Sequence, residues 1–166
     1  NLHFNNVAGY AIGIDIGVNH VLCVLTDLRG NIIIELNEKV NRTPFPAIMS
    51  KIQNMVQTLM DQMPASLYGV VGIGVGVPGI VNKSGTILLA PNLGWTNIGL
   101  KHELEALYNV PVLVENEANA GAFGEQQFGV GQNYQNIIYV SAGIGIGVGI
   151  ILNKELYQGK NGFSGE

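Results

Sequence analysis

The chain has 166 residues, 47% of them apolar and only 12% charged, with a net charge of −4. That is enough apolar surface for one folded domain with a real core. It lacks the basic cluster of a nucleic-acid-binding surface. The single cysteine, Cys23, excludes an internal disulfide and suits a reducing cytoplasm. No signal peptide is expected. The most apolar stretch, 137–152, is shorter than the ~20 residues a spanning helix needs and is interrupted by glycines.

Residues 10–18 alternate Gly and apolar residues around Asp15 and read as a central strand ending in a sharp turn at Gly17. Residues 21–28 and 32–40 read as two more strands, with turn chemistry at Leu28-Arg29-Gly30-Asn31. Tight turns between three strands predict an antiparallel meander. A helix follows, opened by Pro44 and Pro46 with Thr43 as its expected cap and closed by Pro64. Phe45, Ile48, Met49, Ile52, Met55, Val56, Leu59 and Met63 recur at three and four, which defines its apolar face.

Residues 68–77 form the next predicted strand, leading into Pro78-Gly79. A hairpin turning at Lys83-Ser84-Gly85 comes next, then a loop over 90–95. A short helix is built on Leu100, Leu104, Leu107 and Tyr108. His102 reads as a solvated surface residue, His3 and His20 show no partner pattern, and no metal-ligand spacing appears.

Val110-Pro111-Val112-Leu113-Val114 reads as a buried strand, followed at once by Glu115-Asn116-Glu117-Ala118-Asn119-Ala120-Gly121-Ala122. This is a helix whose small residues admit a close neighbour. Asn116 and Glu117 thus stand where a strand hands over to a helix N-terminus. Ligands of open α/β sheets gather at such edges, and an amide and a carboxylate there can hold a polyhydroxylated ligand. The same residues equally suit a plain N-cap and first-turn acid. Finally, residues 136–140 form a strand running into Gly143-x-Gly145-x-Gly147-x-Gly149. This series reads either as a turn whose N–H groups form an anion-binding nest, or as small residues in a tightly packed sheet. It is neither a P-loop nor a dinucleotide fingerprint. The element order predicts one mixed sheet with helices on its faces.

Asp15-x-Gly17, Gly76-Val77-Pro78-Gly79, Pro91-Asn92-Leu93-x-Trp95, Glu115-Asn116-Glu117-Ala118-Asn119-Ala120, Gly143-x-Gly145-x-Gly147 and Gly162-x-x-Gly165-Glu166 together resemble the ROK family of repressors, open reading frames and kinases. The resemblance runs from Tyr10 to Glu166. It implies an α/β fold of the actin-like ATPase (ribonuclease H-like) kind with a mixed five-stranded sheet, residues 1–166 forming a single N-terminal lobe. It implies sugar contacts at Asn92, Asn116 and Glu166, with Gly79 and Trp95 shaping the pocket. A DNA-binding helix-turn-helix, a zinc-binding His and Cys cluster and a second lobe are expected outside this segment, and no cofactor is expected within it. No membrane contact is expected, and the full-length protein is expected to be a homo-oligomer.

The chain departs from the kinase pattern. Glu117 stands where the family's catalytic base is Asp. Val18-Asn19 replaces Gly-Thr in the first phosphate motif, Asp15 to Asn19. Ile144 and Val148 replace smaller or hydroxylated residues in the second, which begins Gly143-x-Gly145-x-Gly147. A sugar side that matches and a phosphate side that does not imply a sensor, most similar to xylose repressors, with Glu117 as a sugar contact and no catalytic residue. The alternatives are an ATP-dependent sugar kinase of the glucokinase or fructokinase kind, and a ligand-free structural lobe.

Overall fold

The computed structural model describes residues 3–41, 43–159 and 164. The chain forms two compact units, one of residues 1–75 and 101–113, the other of residues 76–100 and 114–166.

In the first unit, β1 (Tyr10–Ile16), β2 (His20–Asp27) and β3 (Ile32–Lys39) form the predicted antiparallel meander. β1 alternates strictly: Tyr10, Ile12, Ile14 and Ile16 are buried, and Asp15 falls on the opposite face. Cys23 is fully buried in β2, and burial raises its thiol pKa to about 12, so it packs as a small apolar group. β3 and β1 flank β2, and β4 (Val70–Val77) and β8 (Val112–Asn116) complete a mixed sheet in the order β3-β2-β1-β4-β8. Where β4 meets the chain entering β8, Ile73 N–H donates to the Pro111 carbonyl at 3.0 Å.

Helix α1 (Phe45–Gln62) buries six of the eight residues its periodicity selects; Phe45 in its first turn is half-buried, and Met63 is its C-cap and also half-buried. Its N-cap is Pro44, with no side-chain cap bond, and not Thr43 as expected. The Thr43 hydroxyl instead accepts from the Asn41 N–H, one residue pair earlier. Two prolines near the start make a cap less necessary, because Pro46 has no N–H to satisfy. Helix α2 (Leu100–Tyr108) ends at Asn109, whose φ of 53° turns the chain out of the helix.

At the β2–β3 turn, Asp27 is 4% exposed and its carboxylate accepts four hydrogen bonds. They come from Asn31 Nδ2 and N–H (both 2.9 Å), Asn6 Nδ2 (2.6 Å) and Arg29 N–H (2.9 Å). The Asn31 side chain above all, then Asn6 and the two N–H groups, hold the carboxyl down to about 2 against burial. A lowered folded-state pKa means stability that is complete above the unfolded value near 3.8 and is lost as the pH falls through about 2. Stability measured by denaturant titration will therefore fall between pH 4 and pH 2. In Asp27→Asn that slope will flatten; an unchanged slope would place the acid sensitivity elsewhere.

The second unit holds two three-stranded antiparallel sheets instead of extending a single sheet. One is β5 (Ile80–Val81), β6 (Ile87–Ala90) and β7 (Trp95–Ile98), the other β9 (Ile137–Ala142), β10 (Ile146–Leu152) and β11 (Glu155–Leu156). Helix α3 (Glu117–Phe128) packs on the second of these.

Candidate functional site

The β8–α3 junction is held by side chains. Asn116 ends β8 and caps α3: its Oδ1 accepts from the N–H groups of Ala118 (2.8 Å) and Asn119 (3.2 Å). Its Nδ2 donates to the Gly79 carbonyl at 3.1 Å. Of the two readings of Asn116, the N-cap is the one these bonds describe, and they fix the direction of its amide. Glu117 is the first residue of α3 and half-buried, so its carboxylate stands at the positive end of the helix.

Glu115, which heads the quoted motif but is given no role there, anchors the junction. Its Oε1 accepts from the Asn116 N–H (2.9 Å) and from Asn119 Nδ2 (3.1 Å), and its Oε2 from Gln158 Nε2. The spacing of Glu115 and Asn119 across the strand–helix step is the available signal. It resembles a capping pattern only once Asn116 is known to be the cap.

Gly79 is buried in a close approach of backbones. A Cβ there would lie 2.6 Å from the Leu89 carbonyl oxygen and 2.7 Å from the Ala90 Cβ. Ala90 pairs with Trp95 across β6 and β7. Between these strands, Pro91–Leu93 form one 3-10 turn ended by Gly94 at φ 69°, so the loop predicted over 90–95 is more ordered than expected. Trp95 is 4% exposed, whereas Asn92 is open to solvent. The Asn92 Nδ2 comes within 3.9 Å of where a Gly145 Cβ would stand. Gly79, Asn116, Ala90, Trp95, Asn92 and Gly145 thus form one run of neighbours. Glu166, Gly162 and Gly165 lie outside the described residues.

The glycine series divides. Gly143 and Gly145 form the β9–β10 turn, where the Gly143 N–H donates to the Gly145 carbonyl at 2.8 Å. Gly147 and Gly149 belong to β10 and not to the turn, which corrects the four-glycine nest. Both face α3: a Cβ on Gly147 would lie 3.0 Å from the Ala118 Cβ, and one on Gly149 2.5 Å from the Ala122 Cβ. Of the two readings of this series, close packing describes its second half.

In the first unit, the end of β1 carries Asp15, and the turn after it carries Gly17 and Asn19. Contrary to expectation, His20 has partners. Its Nε2 lies 2.8 Å from Asp15 Oδ2 and its Nδ1 3.0 Å from Asn19 Oδ1. Among the described residues, no three His, Cys, Asp or Glu side chains converge to hold a metal ion, and no helix is long and apolar enough to cross a membrane.

The pattern of the ROK family matches residues 11–166. The chain belongs to the ROK family. The xylose repressor of Bacillus subtilis is 46% identical to it, over 99% of this chain and 43% of the repressor. A glucokinase of Streptomyces coelicolor is 34% identical over 95% of this chain and 48% of the enzyme. Among solved ROK structures, the glucokinase of Streptomyces griseus in complex with glucose and AMPPNP superposes with a TM-score of 0.86 at 33% identity, covering 95% of this chain and 49% of that one. A ROK transcriptional regulator, a homologue of the E. coli MLC protein, superposes at 0.85 with 26% identity, covering 98% and 41%. The actin-like ROK fold expected from the motifs is therefore the fold observed. The chain spans less than half the length of these relatives.

Proposed function

We propose that this lobe senses a sugar in a ROK transcriptional repressor of carbohydrate-utilisation genes, with xylose as the leading effector. The observation that carries this reading is Glu117 at the first position of α3, where the family's kinases place an Asp base. One extra methylene displaces the carboxylate by ~1 Å, and misplacement on that scale costs on the order of a hundredfold in rate. As a hydrogen-bond acceptor for a sugar hydroxyl, the longer side chain carries no such penalty. Asn92 and Asn116 supply amides, Gly79 and Trp95 shape the wall, and Glu166 adds a second carboxylate. The similarity to xylose repressors supports the choice of effector. Sugar binding favours one closure of this lobe on its expected partner lobe and so repositions the DNA-binding segment expected outside this chain.

The second reading is an ATP-dependent sugar kinase, and the likeness to glucokinases favours it. Calorimetric titration of xylose, glucose and N-acetylglucosamine into the intact protein, with and without Mg-ATP, separates the two. Under the sensor reading one sugar binds equally well with and without Mg-ATP, and no phosphorylated sugar forms. Turnover, or binding that requires ATP, makes the kinase reading lead. Operator affinity unmoved by every sugar would sink the repressor.

A further inference from the structure

The family resemblance implies phosphate handling over Asp15 to Asn19; a Mg-nucleotide there would meet N–H groups with its phosphates and the Asp15 carboxylate with its cation. The residues present do not fit that ligand in this arrangement. Asp15 Oδ2 is engaged at 2.8 Å by His20 Nε2. The Gly17 N–H donates to the His20 carbonyl at 2.9 Å. The imidazole lies on Gly17 so closely that a Cβ there would overlap the ring, standing 2.8 Å even from its Nε2. Gly17 lacks a side chain, and the chain's own ring, not a phosphate, fills the space that this leaves.

We propose that His20 is a built-in occupant of the first phosphate turn, holding Asp15 and Gly17 closed to Mg-nucleotide. The carboxylate and the ring are each partly exposed, at 42% and 37%, so the contact is a latch that water reaches and not a locked core pair. The ring also has somewhere to go. It borders an open cleft of about 790 Å³ lined by Asn19, Asn37, Lys39, Asn41 and Thr43, which offers amide and hydroxyl partners. A nucleotide would then bind only the fraction of molecules with the ring displaced, and its apparent affinity falls by that fraction.

The test is calorimetric titration of Mg-ATP into the intact protein as wild type, His20→Ala and the double variant Asp15→Asn/His20→Ala. We expect His20→Ala to bind Mg-ATP about tenfold more tightly than wild type, and the double variant to lose that gain, because the freed carboxylate is what the cation meets. No gain in His20→Ala, or a gain that survives in the double variant, overturns the proposal. Should His20→Ala not fold, the wild-type imidazole resonances decide. They must move in Asp15→Asn, and a ring that does not respond was never on the carboxylate. None of these outcomes involves sugar, so the proposal stands or falls separately from the effector reading.

Discussion

Gly149→Ala will destabilise this protein by about 3 kcal/mol or more, while Gly143→Ala, six residues earlier in the same Gly-x-Gly series, will change stability by about 0.5 kcal/mol or less. The first substitution places a methyl group 2.5 Å from the Ala122 Cβ and 2.9 Å from the Ala118 carbonyl carbon, and into collision with the Ala118 carbonyl oxygen. These are backbone and Cβ atoms of α3, which cannot rotate away. Relief requires moving the whole helix off β10, and with it the Asn116 cap at its start. Gly143, by contrast, has nothing within 4 Å of where its Cβ would stand. For a chain of this size, about 3 kcal/mol corresponds to a fall in Tm of roughly 6–12 °C. Equal melting temperatures for the two variants would mean that α3 and β10 do not approach as closely as described.

Asn116→Ala will cost about 2–4 kcal/mol and abolish effector binding. It removes the acceptor for two N–H groups of the first turn of α3, worth ~1 kcal/mol. It also removes the donor to the buried Gly79 carbonyl, whose desolvation then costs about 1–3 kcal/mol more. Asn116→Ser separates the two. Serine is a good N-cap, but its hydroxyl is too short to span from the end of β8 to Gly79. Denaturant titration should therefore place Asn116→Ser between wild type and Asn116→Ala. The gap from Ser to Ala reports the cap, and the gap from wild type to Ser reports the bond to Gly79. If Asn116→Ala were as stable as wild type and still bound sugar, the junction described here would not organise the site.

Much of this was legible in the residues, because periodicity and turn chemistry are local. β1 to β4, α1, α2 and the β8–α3 step follow from alternation, from apolar spacing and from Pro and Gly at the ends. β7 and β11 were not, being four and two residues long, with positive φ at Asn97 inside one and at Asn153 and Lys154 before the other. The glycine series was only half legible. Alternating Gly looks the same whether it bends a turn or clears a path for a helix, and the difference lies in Ala118 and Ala122, some thirty residues away in sequence. The candidate site was read as a set of residues but not as a set of bonds. Asn116 and Gly79 are 37 residues apart, and no local pattern joins them. Nor does any motif announce that Glu115 braces the junction. The His20 contact was nearer to hand: an acid, a glycine and an imidazole follow one another around a tight turn, so a ring folded back on the glycine was a geometric option.

The outer strand of the five-stranded sheet has a consequence for behaviour at high concentration. Among the described residues β3 has a neighbouring strand on one side only, and at its first residues Ile32 and Ile33 are 59% and 43% exposed. A bare edge of this kind invites a second molecule to add a strand. Further along, β3 carries Glu35, Glu38 and Lys39, and its pairing with β2 shifts register near Leu25 and Thr26, beside the isoleucines. The charges and the irregular register both spoil a flat intermolecular ladder, so the chain protects this border against self-association without burying it. Neutralising Glu35 and Glu38 while leaving Ile32 and Ile33 in place would turn the same border into a seam for aggregates.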